Sequence, residues 1–271
     1  MKDILFLIYC FYIISAQSYN ELWVSYPACK MGRLQSPIRL NVTQSVYNST
    51  FSIVYQQFKQ ESYNWKTFSN SIPVVSTDNN ITGQFINFQK GGVIKQYKLE
   101  KIELYQGLHK VEEIISQYEL HFLFKKVLGF TTNQNQYKRI QDANNYLALV
   151  IRYNNSNDTS LINDNGLYNC VKRSCNIGNY PIFQDKRAYY YEGSFIYNPC
   201  QEDVNYIVLS DIFKASIDNV YSSNEQWAKR NFSYSYDRPI YRNFMNYSET
   251  ISSNYIKSSF VMLFSLFFIL F

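Results

Sequence analysis

The chain is poor in the residues on which most enzyme sites depend. Its 271 residues include two histidines, His109 and His121, so one copy of the chain cannot supply three imidazoles to a metal ion. It also lacks a glycine-rich phosphate loop, a cysteine and histidine nucleophile pair and a cluster of acidic metal ligands. These absences exclude the commonest sites for phosphoryl transfer and for nucleophilic catalysis.

Runs of basic residues are missing as well. The chain carries 26 Lys and Arg against 21 Asp and Glu, a net charge of +5, and the basic residues are scattered rather than interleaved with aromatics. Nucleic-acid-binding surfaces concentrate positive charge on one face. The sequence therefore predicts no nucleic-acid partner.

Long apolar runs occur at the two ends. Residues 1–18 contain one lysine, an apolar run and then small or polar residues, a pattern typical of a cleaved signal peptide. An uncleaved anchor is the alternative, but the run is short for a span of about 20 residues.

Residues 249–271 form a polar spacer and an apolar tail, which predicts a signal for a glycolipid (GPI) anchor. A short C-terminal membrane tail is the alternative.

These two terminal patterns predict that the remaining domain, residues 19–248, enters the secretory pathway and lies on the extracellular face of the plasma membrane. Seven Asn-x-Ser/Thr sites then become glycosylation acceptors. They begin at Asn41, Asn48, Asn80, Asn154, Asn157, Asn231 and Asn246.

Four cysteines remain after signal removal, and an oxidising compartment predicts two disulfides among them, with three pairings open. They are Cys29, Cys170, Cys175 and Cys200.

Short runs of β-branched and aromatic residues, separated by Asn, Asp, Ser and Gly, predict a mainly β protein of one domain. The clearest strands are expected at Thr50–Tyr55, Gln84–Gln89, Gln96–Tyr105, Gln117–Phe124, Tyr146–Tyr153, Tyr189–Gly193 and Val204–Leu209. The best candidate for a helix is Ser222–Arg230.

Several segments in order resemble the α-class carbonic anhydrases. They are Gln35-Ser-Pro-Ile38, Tyr97 to Gly107, Tyr118-Glu-Leu-His-Phe-Leu123 and Gly193-Ser-Phe-Ile-Tyr-Asn-Pro-Cys200. The resemblance implies a single domain with a large, twisted, mostly antiparallel sheet and short peripheral helices. It also implies that Cys29 pairs with Cys200, which leaves Cys170 to pair with Cys175.

Enzymes of that family hold zinc with three histidines, and the resemblance places Glu103, Tyr105 and His121 at the three positions. Zinc sites of this type need neutral imidazoles and an open position for water. A phenol that normally titrates near 10 is a poor replacement. Glu119, the family's hydrogen-bonding partner of the third ligand, is kept.

Other positions of the resemblance are altered too. Ile196 stands where the family has the threonine that bonds the zinc-bound hydroxide, and Ile72 falls at or near the proton-shuttle histidine. The acidic side chain after the first ligand strand is replaced by Leu108 or is absent from a shortened segment. Isoleucine can neither donate nor accept a hydrogen bond. We expect no metal and no other cofactor, and a polar network of Lys101, Glu103 and His121 in the metal's position.

The sequence thus predicts a catalytically inactive carbonic anhydrase-like protein, a binding or structural module for a protein or glycan partner at the cell surface. The alternative is a zinc-dependent enzyme of carbon dioxide hydration that uses Glu103, His121 and either Tyr105 or His109. An esterase in the remodelled cone is a third hypothesis, which no residue specifically favours.

Overall fold

The computed structural model describes part of the chain. The described residues are 32–57, 61–64, 66–67, 73–76, 84–127, 144–155, 174–177, 186–197, 200–215 and 238–245. The predicted helix at Ser222–Arg230, both ends of the chain, Ile72, Cys29, Cys170 and the acceptors Asn80, Asn157, Asn231 and Asn246 lie outside these ranges.

The described residues form sixteen β-strands and one turn of 3-10 helix, Val42–Gln44. The strands are β1 (Arg39–Leu40), β2 (Val46–Tyr47), β3 (Ser52–Gln57), β4 (Glu61–Asn64), β5 (Lys66–Thr67), β6 (Pro73–Ser76), β7 (Phe85–Lys90), β8 (Val93–Gln106), β9 (Lys110–Val111), β10 (Ile114–Ile115), β11 (Tyr118–Lys126), β12 (Tyr146–Asn155), β13 (Ser174–Ile177), β14 (Ala188–Gly193), β15 (Val204–Ala215) and β16 (Tyr241–Arg242).

Eleven strands join in one large sheet. Nine follow the spatial order β2-β16-β14-β15-β12-β11-β8-β6-β5, and β7 pairs with both β8 and β3. The β12–β15 and β16–β2 pairs are parallel, whereas the other pairs of this sheet are antiparallel. Two small sheets, β1-β9-β10 and β4-β13, accompany it. The prediction of a mainly β, mostly antiparallel fold is therefore confirmed.

Each of the seven predicted strands is present, but their ends differ from the prediction. Strand β8 begins at Val93 because the preceding glycines, Gly91 and Gly92, have φ of +58° and +79° and close a tight hairpin in which Lys90 pairs with Val93. Two residues with positive φ suit the twist of a two-residue hairpin turn. Strand β15 runs six residues past Leu209 because its pairing with β12 resumes beyond an irregularity near Arg152.

The large sheet is apolar on both faces, because neighbouring residues of a strand point to opposite sides. Tyr190 belongs to one core and Tyr191 to the other. The first core includes Tyr97, Leu99, Ile102, Leu104, Phe122, Leu149 and Tyr190. The second core includes Tyr105, Leu108, Leu123, Val150, Tyr191, Ile196 and Tyr206. Each fully buried large apolar side chain contributes about 1.5–3 kcal/mol relative to an exposed one.

A β-bulge at Glu100 changes which face the residues of β8 occupy. Leu123 of β11 pairs with Lys101, but the next residue, Phe124, pairs with Leu99, so Glu100 is an extra residue. An extra residue shifts the alternation of side chains by one position. Odd-numbered residues therefore face the first core before the bulge and the second core after it.

Candidate functional site

The candidate site lies where β8 and β11 pair on the face of the second core. His121 is directly opposite Glu103, and Glu119 is directly opposite Tyr105. Since residues two apart share a face of a strand, the two ladders place Glu103 and Tyr105 beside Glu119 and His121. This shared face follows from the period-two alternation of side chains along each strand.

An ion pair occupies the part of the site nearest the bulge. The Lys101 ammonium lies 2.7 Å from Glu103 Oε1 and donates a 2.7 Å hydrogen bond to Tyr197 Oη. It also lies 4.3 Å from the centroid of the Tyr197 ring. The Glu103 carboxylate is 5% exposed, so its negative charge is neutralised inside the protein by this neighbour rather than by solvent.

Tyr105 remains a neutral phenol in this environment. Burial raises the pKa of its hydroxyl well above the usual range, and the negative charge of Glu103 raises it further. Its ring packs against that of His121, with the centroids 4.7 Å apart. Tyr105 therefore supplies apolar contact and a protonated hydroxyl rather than an anionic ligand.

Glu119 is the centre of a second polar cluster and is completely buried. Its Oε1 accepts hydrogen bonds from the backbone N–H groups of Leu108 and His109, at 3.0 and 2.6 Å. Its Oε2 lies 2.7 Å from His109 Nδ1 and 2.9 Å from His121 Nε2. Burial would raise the pKa of Glu119, but the interactions with His109 and His121 outweigh it and hold the pKa well below the usual value.

His121 is neutral because burial lowers the pKa of its imidazole, although Glu119 opposes the shift. With its Nε2–H donated to Glu119, the remaining lone pair is on Nδ1. We expected one network of Lys101, Glu103 and His121. Instead, His121 hydrogen-bonds Glu119, and Lys101 with Glu103 forms a separate pair.

His109 has a role that the sequence did not predict. Its Nε2 lies 2.7 Å from Tyr191 Oη, and Tyr191 Oη lies 3.2 Å from Ser36 Oγ. Ser36 Oγ in turn accepts the backbone N–H of Ser194 at 3.2 Å. The imidazole thereby links Glu119 to the segments around Ser36 and Ser194. The only indication of this role in the sequence was the short Gly107-Leu108-His109 corner after β8. This corner brings two backbone N–H groups and the His109 imidazole to the Glu119 carboxylate.

The remaining predicted site residues are apolar or take no part in the two polar clusters. Ile196 and Leu108 are buried in the second core, and Leu108 reaches Glu119 through its backbone alone. Cys200 forms a disulfide, and its pairing with Cys29 remains a prediction. Asn41, Asn48 and Asn154 are partly exposed. No helix within the described ranges has the length and apolar character needed to traverse a bilayer.

Comparison with known proteins decides the family. The sequence model of the eukaryotic-type carbonic anhydrases matches residues 18–246. This chain belongs to that family. Among solved structures, the fold is similar to "Crystal structure of dioscorin complexed with ascorbate", with 16% sequence identity, a TM-score of 0.58 and coverage of 83% of this chain and 91% of that chain. At this identity the likeness concerns the fold alone. A comparison with curated proteins finds no match.

The zinc of carbonic anhydrases does not fit the donors present here. Of the three positions that the sequence resemblance predicts to correspond to ligands, Tyr105 is protonated and the Glu103 carboxylate is neutralised by Lys101. Only His121 offers an imidazole lone pair, whereas the family's site uses three. A zinc ion at this position would have to displace the Lys101 ammonium.

Within the described part of the chain, a second candidate metal cluster is formed by His109, Glu119 and His121, whose ligand atoms lie within 4.8 Å of one another. Both ring nitrogens of His109 are already engaged, one with Glu119 and the other with Tyr191. The cluster is therefore a closed set of hydrogen bonds, and a metal ion would have to break at least two of them.

Proposed function

We propose that this member of the carbonic anhydrase family is catalytically inactive and works as a binding or structural module on the extracellular face of the cell. The observation that carries the proposal is the 2.7 Å ion pair between Lys101 and Glu103. A protein cation in contact with the carboxylate at a ligand position takes the electrostatic role that zinc would have there.

The surroundings of the ion pair support the same proposal. Hydration of carbon dioxide in this family requires a metal-bound hydroxide, and a hydrogen-bonding side chain orients it. The residue at that position, Ile196, is 5% exposed and packed in the second core. Its side chain has no donor or acceptor with which to orient a hydroxide.

The cell-surface part of the proposal rests on the sequence. Residues 1–18 have the pattern of a signal peptide and residues 249–271 that of a glycolipid-anchor signal. The partner is a protein or a glycan. Treatment of intact cells with a phosphatidylinositol-specific phospholipase should release the protein, whereas retention would favour a membrane-inserted tail.

Metal analysis and a hydration assay test the loss of activity. The purified protein, dialysed against a chelator and then against buffer, should contain far less than one zinc per chain and should not accelerate carbon dioxide hydration at neutral pH. Stoichiometric zinc together with turnover that a sulfonamide inhibits would contradict the proposal and favour the zinc enzyme built on Glu103 and His121, with Tyr105 or His109.

A gain-of-function variant provides the matched control. Glu103→His with Tyr105→His restores imidazoles at all three positions, and Lys101→Gln removes the competing cation. We expect the triple variant to bind zinc while the wild type does not. A folded triple variant that remains free of zinc would show that donor identity is not what prevents binding, and would weaken the argument.

A further inference from the structure

A cavity of about 260 Å³ lies on the opposite face of the sheet from the candidate site. The β7–β8 hairpin contributes Lys90 and Lys95 to it, and β14 contributes Tyr190 and Glu192. Because Tyr190 faces the first core and Tyr191 the second, the sheet separates the cavity from the Glu119 cluster. Its volume is just below the usual range for ligand pockets, about 300–1,000 Å³, and suits a molecule of roughly one ring.

The floor of the cavity is held in place by a hydrogen-bonded network. Asn205 Oδ1 accepts hydrogen bonds from Tyr190 Oη at 2.7 Å and from Asn144 Nδ2 at 3.0 Å. Both asparagines are buried, at 6% and 7% exposure. The shape of the cavity is thus fixed by side chains that bond one another, and a ligand would not have to reorganise them.

One wall of the cavity is aromatic. The rings of Phe88 and Tyr190 stack with their centroids 5.5 Å apart and an interplanar angle of 18°. A flat apolar group can pack against such a surface with little loss of conformational freedom. The wall therefore favours an organic ligand over an inorganic ion.

Two of the three charged side chains among the described residues that line the cavity are positive. Among the described lining residues, Lys90, Lys95 and Glu192 are charged, and Lys90 lies 3.0 Å from Glu192. The pKa of Lys95 is lowered to about 8, first by burial and then by the positive charges of Lys126 and Lys90, which together outweigh the opposing effect of Glu192. A bound anion would relieve this repulsion.

We propose that this cavity binds a small organic monocarboxylate, with the carboxylate at Lys95 and Lys90 and a flat apolar body against Phe88 and Tyr190. A single negative charge is expected because Glu192 would repel a second one. The site is independent of the metal position and of the catalytic state of the protein.

Benzoate is the probe for the first experiment, with benzamide as its neutral counterpart and inorganic phosphate as a non-aromatic anion. In calorimetric titration of the full mature protein at pH 7, benzoate should bind, and benzamide and phosphate should bind about tenfold more weakly or worse, since a charge-assisted hydrogen bond is lost in one and the aromatic contact in the other. Absence of benzoate binding, or equal binding of benzamide, would overturn the proposal.

A matched pair of lysine variants locates the site. Lys95→Met should weaken benzoate binding about tenfold or more. Lys98→Met removes the same charge from an exposed position of the same strand that does not line the cavity, and it should change the affinity by less than about twofold because solvent screens it. Equal effects of the two variants would show general electrostatic attraction and would also overturn the proposal.

The pH dependence provides a test that does not need Lys95→Met to fold. Burial first, then nearby negative charge, raises the pKa of Tyr97 to about 12 and that of Tyr190 further, so both phenols stay neutral at pH 7–9. Wild-type affinity should therefore fall as the pH rises through about 8, where Lys95 loses its proton. Lys95→Arg should keep its affinity over the same interval, and an equal fall in both proteins would contradict the proposal.

Discussion

On the second-core face of β8 and β11, buried charged side chains pair with one another and aromatic rings pack against them, whereas on the first-core face charged and aromatic side chains border a cavity. Each face has a lysine and glutamate pair at similar distance, 2.7 Å for Lys101 with Glu103 and 3.0 Å for Lys90 with Glu192. The exposed fractions of the glutamate side chains differ, at 6% and 46%. Burial therefore decides which pair is part of the core and which can respond to a ligand.

The largest expected effect comes from Glu119, at the centre of the polar cluster on the second-core face. Glu119→Ala removes the acceptor of two backbone N–H groups and two imidazoles, all buried. Loss of one member of a buried, charged network typically costs about 3–5 kcal/mol, so the variant should be largely unfolded or close to it. Urea unfolding monitored by circular dichroism measures the loss.

Glu113→Ala is the control for that experiment. Glu113 is exposed and forms ion pairs with Arg39 and Lys110 at the surface, where such pairs add little to stability. Its unfolding curve should lie close to that of the wild type. Similar destabilisation by the two variants would contradict the view that the buried cluster organises this face.

Acid should destabilise the same cluster by protonating it. The folded-state pKa of Glu119 is lowered, so the stability it provides is complete above the unfolded value of about 4.3 and is lost as the pH falls towards the folded value. The folded-state pKa of His121 is also lowered, so the unfolded chain takes up this proton first and stability begins to fall below about pH 6.5.

Thermal unfolding midpoints measured from pH 8 to pH 3 test this dependence. Glu119→Gln cannot ionise, so its midpoint should fall less steeply below about pH 4.3 than that of the wild type. The wild-type and variant curves should converge in acid. Parallel curves across the whole interval would show that other carboxylates control acid unfolding.

An intermediate effect is expected from the ion pair of Lys101 with Glu103, at the position that the sequence resemblance predicts for the metal. Lys101→Met leaves the buried Glu103 carboxylate without its ammonium partner and should cost about 1–3 kcal/mol. Adding Glu103→Leu should recover most of the loss, since an apolar pair of similar volume can replace a buried ion pair at little cost. Additive effects in a double-mutant cycle from urea unfolding would show that the two side chains are not coupled.

The smallest effect on stability is expected on the first-core face, beside the cavity. Lys90→Met breaks an ion pair whose partners are 35% and 46% exposed, and pairs of this kind contribute at most about 1 kcal/mol. The variant should fold and unfold like the wild type in urea but bind benzoate more weakly. A large loss of stability would remove the contrast between the two faces.

Much of this arrangement could be predicted from the sequence. Short runs of β-branched and aromatic residues located the seven main strands, and the period of two along a strand places Lys101, Glu103 and Tyr105 on one face. These predictions succeed because they depend on residues close together in the sequence. The bulge at Glu100 could not be predicted, since both residue parities in β8 carry apolar side chains.

The partners within the site were harder to predict. His109 and Glu119 are ten residues apart, and their contact depends on how the corner after β8 turns. The same limit applies to the cavity. Its charged residues come from the β7–β8 hairpin and from β14, about a hundred positions later, and only the packing of the sheet brings Lys90 within 3.0 Å of Glu192.

The bulge at Glu100 makes the number of residues in β8 as important as their identity. Deletion of Glu100 would restore a regular alternation without moving any other residue to the opposite face, because Leu99 and Lys101 already pair with consecutive residues of β11. Loss of a residue from a regular part of the strand, such as Tyr97, would instead move the residues on one side of the gap to the opposite face. Strand β8 should thus tolerate a gap at Glu100 far better than a gap elsewhere, so a missing residue at this position would mark a minor difference between relatives, whereas a gap at Tyr97 would mark a rebuilt sheet.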